Sequence, residues 1–182
     1  MASALGIGQT SAMTDRPDET EAAPYYFKYI DRVPPGDVLR TLEAQERDVL
    51  ALLAPLPEER TLRRYAEGKW SLREVLAHLS DTERVSAFRA FWFARGFESP
   101  LPDFDEKRAA AAGRADAVSW ASHLAEFRSV RAATLSLFRS LPPEAWTRRG
   151  IASGNSFTVR ALAFVAAGHV SHHLAIVKAR YL

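Results

Sequence analysis

Residues 70–96 read WSLREVLAHLSDTERVSAFRAFWFARG. Ser71 is followed three residues later by Glu74. That is the pattern of a capping box, in which the serine hydroxyl and the glutamate carboxylate each satisfy a free backbone N–H at a helix start. Trp70 before the cap and Val75 after it are the two halves of a hydrophobic staple. Gly96 supplies the stop. The stretch predicts one helix from Leu72 to about Arg95. Within it His78, Asp81, Val85, Phe88 and Trp92 recur at 3, 4, 3 and 4 residues, which is helical spacing. An imidazole on that stripe is expected to be at least partly buried.

Working outward, three more helices appear. Leu39, Leu42, Val49 and Leu53 follow Pro34-Pro35-Gly36-Asp37 and stop at Pro55 and Pro57. Trp120, Leu124, Phe127, Phe138 and Leu141 begin near Ser119 and end at Pro142-Pro143. The last helix runs from about Thr158 to Tyr181. An alanine-rich stretch after the Pro/Asp loop at 99–105 is a candidate short helix. Strand alternation flanked by turn residues is absent. The expected fold is all-α, a four-helix bundle over residues 25–182. Residues 1–24 are small, polar and acidic and read as a flexible N-terminal tail. Leu5 and Ile7 do not make the apolar core of a secretion signal.

Composition narrows the function classes. Of 182 residues, 47% are hydrophobic and 25% charged, as in ordinary globular domains. Against 22 acidic residues stand 24 basic ones, and a formal charge of +2 is no nucleic-acid footprint. No run of about 18 apolar residues suggests a membrane span. There is no cysteine, which fits a cytoplasmic protein and removes thiolate nucleophiles and Cys-based metal sites. Chemistry therefore falls to His, carboxylates, hydroxyls, or a metal on nitrogen and oxygen ligands.

The five histidines are His78, His123, His169, His172 and His173. His169 and His173 stand at i, i+4, on one helix face. They share it with Leu162, Ala166 and Ile176, so both rings lie in an apolar stripe. A polar group buried without a partner costs roughly 1–3 kcal/mol. A divalent metal would satisfy these rings together with His78 from a facing helix, and three protein ligands plus a water is the usual catalytic zinc arrangement. Neutral imidazole suits Zn, Ni, Cu and Fe. The competing reading is that each ring is a core residue bonded to a carbonyl or carboxylate. His172 points about 60° away from His169 around the helix and is an alternative to His173, which lies closer to the stripe centre. His123, between Trp120 and Phe127, reads as a core residue.

Carboxylates are too few for a di-iron bundle, which needs Glu on all four helices. The last helix has none. Asp81, one turn after His78, is the candidate to orient a ligand imidazole, or else forms a salt bridge with Arg84. No nucleophile elbow, phosphate loop or dinucleotide fingerprint occurs. The aromatic run Phe88 to Phe93 covers nearly every side of its helix, so a homodimer through that face is expected.

Lys69 to Glu83 (KWSLREVLAHLSDTE) and Gly168 to Leu174 (GHVSHHL) resemble the DinB-like or YfiT-like metalloenzyme family. Tyr25 to Ile30 and Leu141 to Trp146 are also similar to family sequence. The resemblance covers Tyr25 to Leu182. It implies a four-helix bundle whose second helix gives one His and whose last gives a His-x-x-x-His pair, the ligands of a divalent metal, often nickel or zinc. Carried over, these are His78, His169 and His173. It further implies a small-molecule substrate and either metal-dependent hydrolysis or transfer of a low-molecular-weight thiol. The alternative from a different class is a non-catalytic metal-containing scaffold.

Overall fold

Every long helix begins on a side-chain cap, and the caps explain where each one starts. The computed structural model describes residues 14–182. Its helices are α1 (Phe27–Ile30), α2 (Val38–Leu53), α3 (Leu72–Ala94), α4 (Glu106–Gly113), α5 (Trp120–Arg139) and α6 (Val159–Arg180). Asp37 accepts from Leu39 N at 2.9 Å and opens α2. The Ser71/Glu74 capping box opens α3, with both reciprocal bonds formed. Ser119 opens α5 by accepting from Ser122 N, and Thr158 opens α6 by accepting from Ala161 N. Helix α3 ends where glycine permits the left-handed turn, at Gly96 with φ of +79°.

The four long helices, α2, α3, α5 and α6, make the bundle. Helix α3 packs on α5 and α6, and α2 packs on the same two. Going round the bundle the order is therefore α2, α5, α3, α6. The consecutive helices α2 and α3 face each other across the diagonal, as do α5 and α6. A simple up-and-down bundle would join neighbours with short loops; here two of the connections cross an end of the bundle. Helix α6 has a mean hydropathy of 1.2 over its most apolar window, enough in length and composition to cross a membrane, but 67% of that window is buried inside the bundle.

The crossing between α5 and α6 holds a strand pair where none was expected. Strands β1 (Arg149–Ala152) and β2 (Asn155–Thr158) pair antiparallel, with Arg149 opposite Thr158 and Ala152 opposite Asn155. Ser153 and Gly154 form the two-residue turn with φ of +52° and +70°, both left-handed as a type I′ hairpin demands. Four residues per strand are too few for alternation to show in sequence. Gly150 lies against the Phe93 ring, where a Cβ would come within 2.0 Å.

The segment read as a tail splits in two. Residues 1–13 lie outside the described residues. Residues 14–24 pack on the bundle: Thr14, Glu21 and Ala22 are buried, and Ala22 bridges to Phe157. Glu21 accepts from Thr158 Oγ1 at 2.7 Å and from Arg160 Nε at 3.0 Å. The acidic composition that suggested a solvated tail includes a carboxylate clamping the start of α6.

Burial on α3 departs from the stripe expected for it. Leu76, Leu79, Glu83, Ser86, Ala90 and Phe93 are buried, and Phe88 is 51% exposed. The core face runs through small and polar residues because α3 is wedged between two neighbours. The bulky aromatics that drew the expected stripe stand outside it. His78 is nonetheless buried, at the edge of the true core face.

Candidate metal centre

Helices α3 and α6 are neighbours in the bundle, so one turn of each can present side chains to a shared point. His78 comes from α3; His169 and His173 come from successive turns of α6. One ring nitrogen from each lies within 4.8 Å of the other two. The ring centroids are 4.9, 4.9 and 4.5 Å apart. His78 Nε2 and His169 Nε2 are separated by 3.1 Å. Two imidazole nitrogens bound tetrahedrally to one zinc stand roughly 3.3 Å apart, from Zn–N bonds of about 2.0–2.1 Å. One imidazole bonded to another would explain that pair alone. It leaves the third ring unaccounted for, and the donor set of three nitrogens fits a divalent ion.

The surroundings hold the rings in place and keep them neutral. Burial pushes His78 down to about 4 and His173 down to about 3, and His169 lies well below the ordinary histidine value for the same reason. Thr82 Oγ1 lies 3.4 Å from His78 Nδ1, the nitrogen turned away from the cluster. Trp70 covers His78 with ring centroids at 4.7 Å, and Tyr181 fixes that loop by donating its hydroxyl to the Trp70 carbonyl at 2.6 Å. Tyr29 meets His169 edge-on at 5.4 Å. It can do so because α6 carries Gly168, where a Cβ would sit 2.0 Å from the Tyr29 carbonyl oxygen.

Two clefts flank the cluster. One, of about 520 Å³, has His173, Trp70, Lys69 and Tyr65 in its wall. The other, of about 420 Å³, has His169, Tyr26, Tyr29 and Arg89. Lys107 of α4 lines both.

The remaining candidates fall elsewhere. His172 is half-buried beside Tyr29 and is not among the three converging rings. His123 is a core residue whose Nε2 bonds the Ala115 carbonyl at 2.8 Å. Asp81 does not reach the imidazoles: it pairs with Arg84, which also pairs with Glu126 of α5. The carboxylate is drawn to the guanidinium one turn on, on the outward side of α3.

Sequence reasoning missed a polar network behind the cluster. Arg131, fully buried on α5, donates Nε and Nη2 to the two oxygens of Glu83 on α3 at 2.8 and 2.7 Å. Its Nη1 donates to the Leu42 carbonyl at 2.7 Å and to Gln45 Oε1 at 3.3 Å. Gln45 in turn donates to the Ala167 carbonyl and to Ser171 Oγ on α6. All four long helices meet in this layer. The signal was present: Arg131 and Thr134 stand on the stripe of Phe127 and Phe138, at spacings of 4, 3 and 4.

Comparison with known proteins agrees with this architecture. The structure is similar to that of YfiT from Bacillus subtilis, described as a probable metal-dependent hydrolase with an unusual four-helix bundle topology. The TM-score is 0.67 over 95% of both chains, at 19% sequence identity. Comparison with curated protein sequences gives no match. The sequence profile of the DinB superfamily matches residues 41–177, three quarters of the chain, and the protein belongs to that superfamily.

Proposed function

We propose that the protein is a metal-dependent hydrolase whose ligands are His78, His169 and His173. The observation that carries this reading is the convergence of three neutral imidazoles, two buried and His173 half-buried, between two clefts. A divalent ion, nickel or zinc as the family resemblance implies, would supply Lewis acidity there. The protein's own residues do the rest. Burial strips the rings of protons, so none has to leave on ligation. Trp70 packs on His78 and Tyr29 on His169, and Thr82 Oγ1 lies beside His78 Nδ1. The bond broken is in a small substrate held in a cleft, with water divided between the two halves. The absence of cysteine supports a variant of the reaction in which an external low-molecular-weight thiol replaces water as the acceptor.

Elemental analysis of the purified protein tests the ligand set. The expected result is about one divalent ion per chain, lost in His78→Ala, His169→Ala and His173→Ala and kept in His172→Ala and His123→Ala. Loss in His172→Ala with retention in His173→Ala would overturn the choice between them. Turnover of ester, amide and thiol–electrophile pairs, with and without chelator, then separates hydrolysis from thiol transfer. Full metal content with no turnover across the panel points to a scaffold instead.

A further inference from the structure

Four arginines among the described residues are not exposed: Arg73, Arg89, Arg131 and Arg160. Three of them are paired with carboxylates: Arg73 with Glu58, Arg131 with Glu83 and Arg160 with Glu21. Arg89 is the exception. It donates through Nη2 to the Pro102 carbonyl at 3.1 Å and to Ser153 Oγ at 2.8 Å. Both acceptors are neutral, and among the described residues Nε and Nη1 have no hydrogen-bond partner. Removing a guanidinium from water without a directly bonded counter-charge is costly; burial lowers the Arg89 pKa, and the charge of Asp103, acting without a direct bond, offsets part of that. The two bonds orient the group without neutralising it.

Its location gives a directly bonded counter-charge a source. Arg89 lines the same cleft as His169, together with Tyr26 and Tyr29. Acidic groups are present at the mouth but are engaged or solvated. Asp103 is exposed, accepts from Phe104 N at 2.8 Å and from Ser153, and reaches Arg89 only through that serine and across space; Asp105 caps α4 through Lys107 N and Arg108 N; Glu106 is exposed. Burial raises the Tyr26 pKa, so its phenol stays a hydrogen-bond donor at neutral pH.

We infer that the cleft on the His169 side takes a substrate bearing a carboxylate, with Arg89 holding that group while the rest of the molecule extends to the three imidazoles. The assignment rests on the hydrolase reading for what happens at the far end, but anion binding at Arg89 can be measured without it. An ionised acceptor makes the stronger class of hydrogen bond with a guanidinium.

Benzoate and its neutral isostere benzamide are the probes, titrated calorimetrically into protein as purified and after metal removal. The metal-free arm keeps benzoate from being captured by the ion. Wild type is expected to prefer benzoate by about 10- to 100-fold, the range for a charged hydrogen bond. Arg89→Gln should abolish the preference and Arg89→Lys should keep part of it, with metal content unchanged in both. An Arg89→Gln protein that prefers benzoate as strongly as wild type overturns the inference. The 15N resonance of Arg89 Nε in wild type supplies a readout independent of any variant's folding: a shift on adding benzoate supports the site, and no shift overturns it. Absence of bound metal in the purified protein would instead count against the hydrolase reading and leave the benzoate result standing.

Discussion

His78 and His173 are the residues whose chemistry burial has altered most legibly, to about 4 and about 3. An unfolded histidine titrates near 6.5. Above that value both states are neutral and the native state loses nothing. As pH falls below it, the unfolded chain takes up protons that the native rings resist, so stability drops until the folded pKa values are passed. Metal-free protein should therefore melt at progressively lower temperature from about pH 6.5 down to about 4, and His78→Phe should flatten part of that slope. Thermal melts at pH 7.5, 5.5 and 4.5 check this; identical melting temperatures would mean the rings are solvated. The histidines were readable in the chain because an i, i+4 pair on an apolar stripe has few explanations. Arg89 was not, because nothing in the spacing of 24 Lys and Arg residues tells which one is half-buried without a directly bonded carboxylate. Asp81 was misplaced because its helical position suits Arg84 as well as His78.

At the scale of elements, caps were more dependable than stripes. Ser71, Ser119 and Thr158 each start a helix within a residue of the expected point, since a cap is a local bond. The α3 stripe needed knowledge of which neighbours α3 meets, and close packing there favours Ser86 and Ala90 over the aromatics. The hairpin at 149–158 escaped because its turn residues, Ser153-Gly154, are common in loops of every kind. The Glu83–Arg131 pair is the element-level feature with the largest expected effect. Removing one partner leaves a charge buried alone, so Glu83→Ala or Arg131→Ala should each cost about 3–5 kcal/mol in urea unfolding. The double replacement Glu83→Leu with Arg131→Met should recover most of that loss. A cost below about 1 kcal/mol for either single change would show that water reaches the pair.

The whole molecule has an outer face that its own helices do not cover. Phe88 and Phe91 stand exposed on α3, beside a groove of about 480 Å³ shared with Val130 and Leu137 of α5. The homodimer proposed from the aromatic run would use this face. Light scattering at micromolar concentration should give twice the 20.2 kDa chain mass, reduced to the single mass by Phe88→Glu with Phe91→Glu. A monomer in the unaltered protein would remove the proposal. Inside, the bundle has two apolar clusters, one around Phe164 and one around Val170, with the Glu83, Arg131 and Gln45 layer spanning all four helices. Apolar side chains alone would let a helix slide by a turn, about 5.4 Å, and repack with little penalty. The polar layer opposes that: sliding α3 or α5 strands a charge of the Glu83–Arg131 pair, and sliding α6 takes the Ala167 carbonyl and Ser171 hydroxyl away from the Gln45 amide. It works as a keyway that sets the height of α6 against α3, at which rings one turn apart on α6 come level with a ring on α3. A bundle with leucine and methionine in the keyway could be as stable and yet hold its imidazoles less squarely, so precision at the cluster is set by residues that never touch it.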